Sequence, residues 1–486
     1  MEKHEHDIAF HEKQSPSTTP PEPDTGNSSS QDLTIHSPSY AQHSPTPLIP
    51  SEKHHEPPCE PQAPEQPAEN PDQGPNKLTA GHYGVVIGAF CGFFASFGWR
   101  AGSGFFQQYY QEDQLRNESP STIAWINSVG FFLMYFGACI VGPVTERIGP
   151  QPLLLIGSAL HVGGLLGASW CGKFYQLFLT QGIISSLGAS AVFFISVQTL
   201  ARWFSTHQSL VIGIGASGVS CGGVVFPLLI KNLIPSIGFG WTMRCAVLVL
   251  LVLMVASNLT LRQPPARTRE QRRVRMDMGM GMDTPERESR WAGLSDWRLI
   301  LTFLGTTLFA NGYFVVLTFL VTVAGKRDWG DPTDALVVLN AASFFGRIIP
   351  GLVADRAGNF NTMLVLGALS TLLILALWTP HSGFPGAVVF SVTFGFTSAS
   401  TVSLGPAMVF QISKPRHMTR DLAVLYLVQS FAGLTSSPIG GALLDAAKDR
   451  DPLYLQVFCG LMTGVGTMLI FGARHGLTGG VVWKRV

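Results

Sequence analysis

From residue 81 onward the chain alternates long apolar runs with short polar breaks. A helix of about 20 apolar residues crosses the ~30 Å hydrocarbon core of a bilayer. Runs of that length predict spans at 83–106, 123–143, 152–171, 176–200, 209–230 and 241–261, then 299–324, 334–354, 363–379, 385–412, 422–444 and 453–473. The expected fold is therefore an all-α membrane protein, with twelve transmembrane helices in two groups of six. The expected division is a disordered tail over 1–80, a six-helix half over 81–261, a polar loop over 262–298 and a second six-helix half over 299–486. No apolar stretch opens the chain as a cleavable signal would, so the first span is expected to direct it to the membrane.

Composition supports this picture. Only 13% of the 486 residues are charged and 46% are hydrophobic, about half the charged share of a soluble domain. There is no collagen period, no heptad and no disulfide framework, and a soluble enzyme is not expected. Residues 1–80 hold 15 of the 32 Pro and 7 of the 13 His, with 4 Lys, no Arg and 13 acids. Such a segment cannot bury enough apolar surface to offset its ordering entropy. Its histidines (His4, His6, His11, His54, His55) could hold a metal loosely, but no metal site is expected. The tail carries −9, so the formal +1 of the chain conceals a +10 remainder.

Much of that charge lies between 262 and 298, which contains nine Arg, among them Arg267, Arg269, Arg272, Arg273 and Arg275. With the N-terminus inside, 18 Lys and Arg fall on the cytoplasmic side and 7 outside, the sign that the positive-inside rule requires. Both termini are thus expected in the cytoplasm. The Arg run needs no nucleic-acid partner: water and the anionic lipid of the bilayer suffice.

An internal repeat carries the strongest motif. Gly142-Pro-Val-Thr-Glu146-Arg147-Ile-Gly149 follows the second span, and Gly351-Leu-Val-Ala-Asp355-Arg356-Ala-Gly358 follows the eighth, 209 residues later. In each, the first Gly lets helices approach, an acid and an Arg sit at the interface, and the last Gly reverses the chain. The pair resembles the signature loop of the major facilitator superfamily, over all of 81–486. That resemblance implies two six-helix halves around a central cavity that opens alternately to either side, without enzymatic activity or a cofactor. It also implies a gating role for Gly142, Glu146, Arg147, Gly351, Asp355 and Arg356, which would latch one face shut. The first copy departs from the pattern in its Glu and in Pro150-Gln151, where basic residues usually follow.

Further stretches resemble the monocarboxylate porter branch, especially its fungal members: Ser119-Pro-Ser-Thr-Ile-Ala-Trp125, Gln181-Gly-Ile-Ile-Ser-Ser-Leu-Gly188, Ala201-Arg-Trp-Phe204, Gly238-Phe-Gly-Trp-Thr-Met-Arg244 and Arg347-Ile-Ile-Pro-Gly351. By that resemblance Arg100 and Arg347 would engage a carboxylate. Ser343 stands where the family often has an Asp, which leaves proton coupling open. Gly213-Ile-Gly-Ala-Ser-Gly218 matches a dinucleotide fingerprint by letter, but inside an apolar span it reads as helix packing. No phosphate-cradling Lys loop occurs, so ATP-driven pumping is not supported.

Intramembrane charge costs at least ~2.5 kcal/mol and usually faces a polar cavity. Arg100, Arg244 and Arg347 lie within spans, without a deep Asp or Glu to pair them. Arg244 begins its span and is expected to reach toward the headgroups. Arg100 falls in the outer half and Arg347 ~20 Å in from the outer face, by 1.5 Å per residue. Two readings stay open for each: an anion site, or outer-leaflet snorkelling (Arg100) and a brace for the Gly351 loop (Arg347). Asn340, Ser343, Phe344 and Arg347 share one helix face, which suits an amphiphilic acid. Asn311, Tyr313 and Gln181 are weaker substrate candidates. His161, the one His well inside a span, is a proton carrier or a packing donor. The scattered Cys show no metal-ligand spacing, and Asn117-Glu-Ser119 is a glycosylation acceptor in an outer loop. The expected function is a monomeric secondary transporter in the cell membrane for a small organic anion (a monocarboxylate) or an amphiphilic metabolite, drawing on a proton or substrate gradient. The alternatives are export of a biosynthetic-cluster metabolite rather than uptake, and a non-transporting sensor.

Overall fold

The computed structural model describes residues 80–204, 206–263, 296–327, 331–380, 383–414, 417–446 and 452–481. The expected tail over 1–80 and basic loop over 262–298 lie almost wholly outside the described residues. The helices are α1 (Ala80–Gln114), α2 (Pro120–Ile148), α3 (Pro150–Ala168), α4 (Phe174–Trp203), α5 (208–237), α6 (239–260), α7 (Trp297–Lys326), α8 (Pro332–Ala357), α9 (Asn359–Trp378), α10 (Phe384–Ile412), α11 (Met418–Ala446) and α12 (Leu453–Thr478). Helices α5 and α6 run on as Gln208–Thr260, but Gly238, at φ 76° and ψ 165°, breaks the helical path between them. Among the described residues, ten helices are thus long and apolar enough to cross a membrane once and this one twice, matching the twelve runs in the sequence.

Local chemistry sets the ends. Pro120 opens α2 behind Ser119, whose hydroxyl accepts the Thr122 N–H at 3.1 Å, and Pro332 opens α8 behind Asp331, which accepts the Thr333 N–H at 3.0 Å. These are N-caps with proline in the first turn, where no N–H is needed. The closing glycines of the repeat, Gly149 and Gly358, have φ of 85° and 100°, a region that L side chains rarely enter. Both copies reverse the chain by the same device. Gly149, Phe204, His207 and Gly358 lie with Ala80 at one end of the bundle, the tail end, and the last residues of α1, α3, α5 and α7 lie at the far end.

Glycines draw the helices together. A methyl on Gly98 of α1 would come 2.9 Å from Gly222 of α5. The fingerprint-like glycines face three neighbours: Gly213 meets the Arg347 carbonyl on α8, Gly215 the Leu200 side chain and Gly218 the Phe90 carbonyl. Their role is close backbone approach. Outward-facing side chains such as Leu155, Leu248, Val365 and Met468 are large, apolar and exposed, while Ser, Thr, Asn and Arg side chains are buried among the helices. That inversion suits a surface solvated by lipid.

Candidate functional site

Arg347 stands at the contact between the first six helices and the last six. It is fully buried on α8 with Asn340 and Ser343, two turns and one turn earlier on its face. Its Nη1 donates to Ser343 Oγ at 2.7 Å and to the Ser220 hydroxyl of α5. Ser220 and Ser343 are themselves 2.7 Å apart, and Ser343 donates to the Asn340 carbonyl at 2.7 Å. The remaining donors, Nε and Nη2, find no partner among the described residues. Leaving such a group buried and unmatched costs about 1–3 kcal/mol, more when it is charged. Tyr135 of α2, Tyr313 of α7 and Cys221 of α5 lie within electrostatic reach. The Tyr313 hydroxyl approaches the guanidinium without completing a hydrogen bond.

The same tyrosines wall a cavity between the two groups of helices, with Phe193, Phe314, Tyr426 and Gln429. Aromatic rings close it: Tyr135 and Tyr426 lie 5.4 Å apart and Phe131 and Phe314 4.7 Å apart, each pair joining helices from both groups. The open space is about 20 Å³, enough for about one water and far below the ~300 Å³ of a ligand site. The structure is closed around its centre.

Other sequence-predicted residues fall elsewhere. Arg100 turns into the first six helices, where Nη2 donates to the Gln181 carbonyl at 2.7 Å and to the Ser186 hydroxyl, with the guanidinium against Gly130. It is 2% exposed, so outer-leaflet snorkelling is ruled out, and it is not on the cavity wall. Gln181 is held there too, its Oε1 accepting the Tyr110 hydroxyl at 2.6 Å. Asn311 ties α7 to α11 through Thr435 Oγ1 at 3.0 Å, and its Oδ1 is buried without a partner. His161 links α3 to α4 and α1, with Nδ1 2.9 Å from the Ser185 carbonyl and Nε2 3.1 Å from that of Ala95. Asn117 is exposed in the turn between α1 and α2.

The two copies of the repeat behave differently. Asp355 accepts the main-chain N–H groups of Ser209 at 3.1 Å and Leu210 at 3.0 Å. These are free donors at the positive end of α5. Ser209 also donates to Asn359 at 2.7 Å. Beside them, a methyl on Gly351 would come 2.7 Å from the Ser209 carbonyl. Glu146, Arg147 and Arg356 are exposed. Near the first copy, Gln198 of α4 reaches Thr419 of α11 at 3.1 Å, and Gly142 faces Ala423.

At the far end, Lys231 of α5 bonds Asp331 and lies 3.8 Å from Asp334 on α8. Burial opposes ionisation of Asp331, but the Lys231 ammonium and the Thr333 N–H outweigh it and hold its carboxyl below the usual range. The sequence reading missed Lys231, Gln198, Tyr135 and Tyr426. An acid pair opening span eight, opposite a Lys closing span five, was the available signal for the first.

A family profile described as Major Facilitator Superfamily matches residues 88–437. An MFS-type transporter of Gibberella moniliformis is 37% identical over 409 residues, covering 83% of this chain and 92% of the relative. A fujikurins efflux protein of Gibberella fujikuroi is 33% identical, covering 83% and 84%. An agnestins efflux protein of Paecilomyces divaricatus is 33% identical, covering 82% and 89%. With its doubled turn and its closed seam between two sets of six crossings, the chain belongs to the major facilitator superfamily of membrane transporters.

Proposed function

We propose that this transporter exports an amphiphilic organic acid across the plasma membrane by alternating access, as a monomer with both termini in the cytoplasm. The observation that carries this reading is the Arg347 guanidinium, buried at the seam with its Nε and Nη2 unspent and, among the described residues, no carboxylate beside it. An anionic guest supplies what it lacks, because a carboxylate accepts two parallel N–H bonds from one guanidinium. The aromatic wall of Tyr135, Phe193, Phe314 and Tyr426 suits an apolar body attached to that acid.

The relatives that export fujikurins and agnestins support export over uptake. The stretches similar to the monocarboxylate porter branch support an acidic cargo. Ser343, bonded to Arg347, leaves the stretch of α8 from Asn340 to Arg347 without a carboxyl, so any proton coupling runs through another group. Glu146, Arg147 and Gly142 on one side, and Asp355, Arg356 and Gly351 on the other, gate the tail end; Arg100, Gln181 and Asn311 brace the helices that move. Efflux from inside-out vesicles tests the reading: the acid should be carried and its neutral methyl ester should not.

A further inference from the structure

The α3–α6 side of the bundle carries a cation that neither the cavity nor the gates employ. Arg244 lies in the second turn of α6, and its guanidinium sits over two indole rings, 4.8 Å from the centroid of Trp170 and 4.6 Å from that of Trp241. Its Nε reaches Ser169 Oγ at 3.4 Å, and Nη1 and Nη2 bond to nothing among the described residues. No acid among the described residues neutralises it. The two Trp are 66% and 61% exposed, so they hold the charge in place without covering it. Cation–π contact fixes a guanidinium through its face and leaves the in-plane donors available.

A continuous apolar stripe leads away from this cation. Trp241, Leu248, Val252 and Leu259 are all exposed and recur at 7, 11 and 18 residues, which returns each to the same side of a helix. From Trp241 to Leu259 is ~27 Å at 1.5 Å per residue, close to the hydrocarbon thickness of one bilayer. On α3, Leu155 and Leu166, eleven residues apart on one side of the helix, are also exposed, and the two helices are tied by Asn258 donating to Ser158 at 2.8 Å. The charge stands at one margin of the stripe, where α6 begins after Gly238.

We propose that Arg244, Trp170 and Trp241 form a binding site for the phosphodiester of a glycerophospholipid, whose acyl chains lie along α3 and α6. The occupant is a lipid and not a soluble phosphate because the donors open onto an apolar wall of membrane length. The phosphate supplies two acceptor oxygens to Nη1 and Nη2, and the indoles supply the interfacial contact that such rings favour. The site is independent of the transported cargo.

Native mass spectrometry of the purified full-length protein tests this. With equal amounts of a phosphatidylglycerol and a diacylglycerol of the same chains, the wild type should retain the phospholipid at least about tenfold more. Arg244→Gln should lower phospholipid retention about tenfold, and Arg244→Lys, which keeps the charge without the fork, should fall between. Millimolar inorganic phosphate should not displace the lipid. Equal retention of the two lipids by the wild type, which needs no variant to fold, overturns the proposal. So does full retention by a folded Arg244→Gln protein, or displacement by inorganic phosphate.

Discussion

Asp355 closes the tail end of the bundle by accepting the backbone N–H of Ser209, 3.1 Å away on the opposite set of helices, together with that of Leu210. The acid thus neutralises the positive end of α5. Hydrogen bonds to a charged group contribute about 1.5–3 kcal/mol each at most, so Asp355→Asn should shift the equilibrium toward a tail-end-open form by about tenfold or more. A Phe410→Cys probe in the neighbouring crevice should be labelled correspondingly faster. Glu146→Gln, at an exposed carboxylate with no hydrogen bond among the described residues, should raise the labelling rate less than Asp355→Asn does.

Lys231 with Asp331 and Asp334 holds the other end of the same α5–α8 pair. The pair is partly exposed, so its contribution is modest, about 0.2–1 kcal/mol. Lys231→Asp should favour far-end opening, and the double exchange with Asp331→Lys should restore closure. The sign of the pH effect follows from the depressed Asp331 carboxyl: its contribution is full above the ordinary carboxylate range and is lost as pH falls through its lowered value. Double electron–electron resonance distances across the far end should therefore stay constant from about pH 5 to 8.

Gly213 and Gly351 let α5 and α8 meet backbone to backbone. A Cβ on Gly213 would collide with the Arg347 carbonyl oxygen, so Gly213→Val should prevent tail-end closure. Because the clash lies between the two sets of helices and not within either, the variant should reach the membrane and melt within a few degrees of the wild type. Its transport should fall at least about tenfold.

The membrane crossings were legible because a bilayer imposes one length on every span, and the repeat was legible because Gly149 and Gly358 need the same unusual backbone. The face shared by Asn340, Ser343 and Arg347 followed from helical spacing alone. The destination of Arg100 did not: its partners are the Gln181 carbonyl and the Ser186 hydroxyl of a helix 81 to 86 residues away, and main-chain acceptors leave no mark in a sequence. The cavity wall was equally hidden, since Tyr135 and Tyr426 meet only once the halves are docked. The departure of the first copy, in its Glu146 and Pro150-Gln151, was legible in the sequence, but what each acid touches was not. Asp355 reaches a helix end while Glu146 faces outward, a difference set by tertiary packing and not by the motif.

Arg347 is the residue on which the transport reading turns, and metabolite profiling of cells and medium tests it most directly. Cells lacking the protein should be compared with cells restored with the wild type or with Arg347→Ala at equal surface abundance. The account predicts that one or more anionic amphiphiles stay inside the deficient cells, appear in the medium with the wild type and stay inside again with Arg347→Ala. Equal release by wild type and variant, or release confined to neutral or cationic compounds, would contradict it.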